Sequence, residues 1–148
     1  MSSIYNFITS HDFLKKIVGI LAIFGLVYII YFLFVRKASF DDNLKKIALE
    51  LNKTCPKMID KDTRLDNALA IKGNIFQYNY TLLNILKDSM DIDLFKASIE
   101  PSIINNVITN SDLETFRKNK ITLIYNFKDE KNNHITRIIV NPKKYKIN

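Results

Sequence analysis

The run Ile17–Val35, IVGILAIFGLVYIIYFLFV, contains no charged residue and no strongly polar one. As a helix rising about 1.5 Å per residue it would span roughly 28 Å, close to the ~30 Å hydrocarbon core of a bilayer. A soluble amphipathic helix would place a polar residue every third or fourth position, and this run does not. Lys15 and Lys16 precede it, Arg36 and Lys37 follow it, and Tyr31, Phe32 and Phe34 stand near its end, where an interfacial aromatic belt would form. The apolar run is longer than the core of a cleaved signal peptide, and Val35-Arg36-Lys37-Ala38 is a poor cleavage context. The expected organisation is a short segment 1–16, an uncleaved single-pass transmembrane helix 17–35 acting as a signal anchor, and a domain 39–148.

Charge bears on the partner class. The net charge is +7, and from Ser39 onward 18 basic residues face 14 acidic ones, a net of +4. A mildly basic domain beside an anchor suits anionic lipid more simply than nucleic acid, and no nucleic-acid module is visible. Cys55 is the only cysteine, which excludes an internal disulfide and a Cys-rich metal site. Its plain reading is a small apolar residue near the start of the domain.

The domain alternates helical and extended patterns. Phe40, Leu44, Ile47, Ala48 and Leu51 recur at helical spacing behind a Ser39…Asp42 capping pattern. Arg64–Ile71 and Ile75–Leu83 read as strands joined at Lys72-Gly73-Asn74, a short loop with residues suited to positive φ. Asp91–Thr109 is helical, with Pro101 expected to kink or split it, and Asn110-Ser111-Asp112 caps a short helix to about Lys118. Ile121–Phe127 and Ile135–Val140 form a second hairpin across the polar turn Lys128–Asn133. The expected class is α+β: after the transmembrane helix, a helix–hairpin–helix–hairpin domain whose hairpins join into one antiparallel sheet with the helices on one face.

Asn52, Cys55-Pro56, Asp60, Thr63-Arg64-Leu65-Asp66 and Tyr78-Asn79-Tyr80-Thr81-Leu82 together resemble a group of small, uncharacterised bacterial proteins that are membrane-anchored or secreted. The resemblance covers most of the domain and not the anchor. It implies a bacterial envelope protein with the domain outside the cytoplasm; together with the anchor, the expected place is the bacterial inner (cytoplasmic) membrane, with the C-terminal domain periplasmic or otherwise extracytoplasmic. It brings no activity and no functional residue.

Three constellations could carry chemistry. Asp60, Asp62, Arg64 and Asp66 alternate, so a strand through them would put three carboxylates and an arginine on one face. That is a cation site, an acid–base pair, or simply a solvated strand face with Arg64 paired to its neighbours. No glycine-bearing calcium loop surrounds them, and no metal ligand set is assigned. Cys55 and His134 would make a nucleophile–base pair only if the fold joined them. Phe76, Tyr78 and Tyr80, with Tyr125 and Phe127, form either a core layer or the floor of a ligand groove. No phosphate loop, HExxH or GxSxG is present, so no catalytic residue and no cofactor is assigned. The expected function is an anchored domain that binds a protein, a peptide or an envelope component, with Asp60, Asp62, Arg64, Asp66, Tyr78 and Tyr80 as candidate binding residues. The alternatives are an enzyme or redox protein using Cys55 or the aspartate cluster, and an immunity or exclusion protein.

Overall fold

The computed structural model describes residues 11–145, with side chains described for 23–33 and 41–145. The chain divides into two compact units, Met1–Phe40 and Asp41–Asn148.

Helix α1, His11–Asn52, runs without interruption across the expected boundary at Ser39. No glycine or proline lies between Gly25 and Pro56, so nothing in the local chemistry stops the helix there. In the first unit the large apolar side chains from Ile23 to Leu33 are exposed. Among the described residues no helix is long and apolar enough to cross a membrane. This corrects the expected transmembrane helix at Ile17–Val35, and with it the signal anchor, the single-pass inner-membrane placement and the lipid partner. The described apolar stretch, Ile23 to Leu33, covers only about 16 Å at the helical rise, roughly half a bilayer core. The side chains of residues 17–22, 34 and 35 lie outside the described set.

The second unit is α+β, built on a five-stranded sheet in the order β1-β2-β3-β4-β5. The strands are β1 (Lys57–Met58), β2 (Thr63–Ile71), β3 (Ile75–Leu82), β4 (Thr122–Asp129) and β5 (His134–Val140). Strands β2 and β3 form a hairpin, and Gly73 (φ 95°) and Asn74 (φ 62°) supply the left-handed conformations its turn needs. Strands β4 and β5 form the second. The expectation of an all-antiparallel sheet is corrected where the hairpins meet, because β3 and β4 pair in parallel. The chain between them includes helices α2 (Ile92–Thr109) and α3 (Glu114–Lys118), long enough to carry it back to the starting end of the sheet. A last short helix, α4 (Pro142–Tyr145), closes the unit.

Helix α2 begins at Asp91, whose carboxylate accepts the Leu94 N–H at 2.9 Å, and continues through Pro101 without breaking. It packs on β5 and on α4. Lys144 of α4 pairs with Glu100 of α2 at 2.5 Å, and the Tyr145 hydroxyl donates to the Ile121 carbonyl at 2.6 Å. The side chains of Phe76, Leu123, Ile138, Val140 and Val107 are fully buried between sheet and helices. Phe76 meets Phe116 of α3 edge to face at a centroid distance of 5.1 Å.

Candidate functional site

Parallel pairing of β3 with β4 puts aromatic residues side by side. Tyr78 lies opposite Tyr125, and Tyr80 opposite Phe127, all on the face toward α2. Their rings stack, at 5.3 Å for each pair, and Phe95 of α2 meets Phe127 edge to face at 5.7 Å. Between this row and the helix lies a groove of about 390 Å³. Tyr80, Leu82, Tyr125 and Phe127 make its floor, Phe95, Ile99, Ser102, Ile103 and Asn106 its helical wall, and Ile59, Asp60 and Thr63 its mouth.

The wall exists because α2 does not bury its whole apolar stripe. Val107 is the only fully buried residue of the helix, whereas Phe95, Ile99 and Ile103, spaced four apart, are half-buried. A helix stripe that packs only at its C-terminal end leaves a cleft at the other.

The tyrosines of the row are firmly protonated. Burial, with a smaller contribution from Cys55, pushes the Tyr80 phenol up to about 12. Burial likewise raises Tyr78 and Tyr125, each also disfavoured by a neighbouring tyrosine. They can donate hydrogen bonds but cannot act as bases near neutral pH.

The alternating acidic cluster is divided by the fold. Asp60 and Asp62 do not lie on a strand, because Lys61 sits at the tip of the turn between β1 and β2. The Ile59 N–H donates to the Thr63 carbonyl at 2.9 Å, and Asp60 accepts the Asp62 N–H at 2.8 Å. That hydrogen bond, with others from Thr63, holds the Asp60 carboxyl below the usual carboxylate range. Asp62 lies 3.6 Å from the Lys61 ammonium, and its carbonyl accepts from Leu83. Arg64 and Asp66 do share a face, the one turned away from α2. Asp66 accepts there from Arg64 Nε at 2.7 Å and from the buried Thr81 hydroxyl at 2.6 Å, and it pairs with Lys128 Nζ at 3.1 Å. Of the six candidate residues, then, the structure brings Asp60 and Tyr80 to one groove and sets Tyr78 beside it. Asp62 stands in the turn, and Asp66, with Arg64 beside it on β2, ties β2 to β3 through Thr81 and to β4 through Lys128.

Because Arg64 is more than a third exposed and Asp66 keeps two other donors, Arg64→Ala is expected to lower stability by no more than about 1 kcal/mol. Denaturant titration would check this; a loss well above that figure would mean that Arg64 carries the network.

Cys55 and His134 are not joined. Strands β2, β3 and β4 separate β1, which Cys55 precedes, from β5, which His134 begins, roughly 19 Å at the usual strand spacing. Burial and the nearby Asp66 charge raise the Cys55 thiol, the reverse of what an activated nucleophile needs. Among the described residues no cluster of three or more His, Cys, Asp or Glu could hold a metal ion.

Sequence reading placed Phe95, Ile99 and Ile103 on a helix but missed them as a wall. Their four-residue spacing was visible; the emptiness opposite them was not, since it depends on which strands α2 covers.

A five-stranded α+β sheet with this topology defines a fold shared with secretion-associated proteins. A candidate secreted protein from Pseudomonas aeruginosa matches with a TM-score of 0.62 at 15% identity, covering 74% of this chain and 96% of that one. The type 2 secretion system pilotin EpsS from Vibrio vulnificus matches at 0.60 and 7% identity, over 76% and 96%. The type II secretion system pilotin AspS from Vibrio cholerae matches at 0.56 and 10%, over 75% and 97%. At these identities the likeness is one of fold. By sequence, residues 39–136 match the family described as a domain of unknown function, DUF8479, and the chain belongs to that family. No curated protein matches it.

Proposed function

We propose that the second unit is a non-enzymatic binding domain that takes a segment of a partner protein into the groove between α2 and the sheet. The observation that carries this reading is the groove itself: about 390 Å³ lined by aromatic and aliphatic side chains, along a helix whose apolar stripe is left half-covered. A cleft with few polar groups and no activated nucleophile, acid–base pair or metal cluster suits recognition of apolar side chains. The fold shared with two type II secretion pilotins supports a small domain that works through a protein partner.

A photo-crosslinking residue at Ser102, exposed on the groove wall, is expected to give a protein adduct in the native host. The same residue at Asn105, which does not line the groove, should give none. Ile103→Glu puts a charge against the aromatic floor and is expected to reduce the Ser102 adduct at least about tenfold while the protein still melts cooperatively. Equal adducts at both positions, or an adduct that survives Ile103→Glu, would overturn the assignment of the groove.

A further inference from the structure

Among the polar groups of the groove, which also include Thr63, Ser102 and Asn106, two places bear on its occupant. Tyr125 lines the floor and is 8% exposed, yet among the described residues its hydroxyl has no hydrogen-bond partner. The Tyr80 hydroxyl beside it is likewise without one. Both hydroxyl oxygens are open to solvent in the groove, so an occupant that covers them must supply an acceptor in place of water. The second place is Asp60, among the described residues the only charged one lining the groove. The Asp62 N–H donates to its carboxylate and its own N–H donates to the Thr63 carbonyl, so the turn holds its charge at the mouth before anything binds.

Building on the reading of the groove as a peptide site, we infer that its occupant is an apolar peptide segment with a lysine or arginine at the end that lies beside Asp60, and with a backbone carbonyl that accepts from the Tyr125 hydroxyl. A free fatty chain or an apolar small molecule would leave both polar features unmet. An acidic segment would set two carboxylates together at the mouth. Long-range charge argues the other way, because the chain carries +7 overall and attracts acidic peptides non-specifically. A preference for a basic peptide would therefore have to arise locally.

The test uses the full chain and two short fluorescein-labelled synthetic peptides. Both share one Leu/Ile/Phe pattern; one is flanked at each end by lysine and the other by glutamate. Fluorescence anisotropy is expected to show the lysine peptide bound more tightly by about two- to fivefold, with the preference shrinking at high salt. Asp60→Asn keeps an acceptor for the Asp62 N–H and should abolish the preference while the protein still melts cooperatively. Tyr125→Phe should weaken both peptides by about fivefold. If both peptides bind the groove equally, compete with each other, and ignore Asp60→Asn and Tyr125→Phe, the inference fails and the peptide-site reading stands. If neither peptide binds, or if Ile103→Glu leaves binding unchanged, the peptide-site reading fails with it.

Discussion

Phe76→Ala is expected to lower the unfolding free energy of the second unit by about 3–5 kcal/mol. Phe76 is fully buried near the start of β3, the central strand, edge-on to Phe116 of α3 at 5.1 Å and to Tyr78 of its own strand at 5.1 Å. Its replacement loses the transfer free energy of a phenyl ring and leaves a cavity beside the fully buried Leu123, its partner across the parallel pair. The aromatic contacts add about 0.5–1.5 kcal/mol each beyond simple burial. Total stability of a domain this size is commonly only about 5–15 kcal/mol, so the variant should sit near the edge of folding at room temperature. Urea unfolding followed by circular dichroism measures the loss. A loss below about 1.5 kcal/mol would mean that α3 closes onto the sheet and that the layer is plastic. Because Phe76 holds the floor on which Tyr78 and Tyr125 stack, the groove should loosen together with the core.

The same row shows why some of the fold was legible in the sequence and some was not. Lys72-Gly73-Asn74 signalled its hairpin because positive φ is a local demand that few residues meet, and the structure has φ of 95° and 62° at Gly73 and Asn74. The outer hairpin was readable from the alternation in β5, where Ile138 and Val140 point inward and Arg137 and Ile139 outward. Parallel pairing of β3 with β4 had no such local signature. It depends on which edge the crossover helices return to, and neither strand's own residues encode that. Strand β1 has only two residues, too few for any periodicity. The aspartate cluster misled for a related reason: alternation at 60, 62, 64 and 66 implies one face only if the chain is a strand throughout, and here a turn takes Asp60 and Asp62 while a register shift between Leu65 and Asn67 falls at Asp66. The continuity of α1 across Ser39 follows from the lack of a breaker, a signal that the Ser39…Asp42 capping pattern masked. The groove was half-legible. Tyr80, Tyr125 and Phe127 were recognisable as an aromatic set, but whether α2 would cover them or leave them open was settled by packing at Val107.

Asp66→Ala is expected to cost about 2 kcal/mol at neutral pH, the largest effect of any change on the open face of the sheet. Asp66 is 13% exposed and is the common acceptor for Arg64, Thr81 and Lys128, which come from three adjacent strands. Its removal leaves the Thr81 hydroxyl, 2% exposed, without an acceptor and leaves Arg64 and Lys128 without the counterion they share. The pH dependence has a definite sign. Burial works against the charged carboxylate, but the hydrogen bonds from Thr81, Arg64 and Lys128 outweigh it, and the pKa of Asp66 lies below its ordinary value of 3.8. A group whose pKa is lowered on folding adds stability that is fully present above the unfolded pKa and is lost as pH falls through the folded one. The gap between wild type and Asp66→Ala should therefore stay constant from neutral pH to about pH 5 and shrink only below about pH 4. Asp66→Asn keeps one acceptor but no charge and should fall between the two. Urea titrations of the three proteins at neutral pH and at low pH would check the order and the narrowing. A gap that widened with acid would show that the carboxylate is held protonated, and that Arg64 and Lys128 face a neutral acid rather than a counterion.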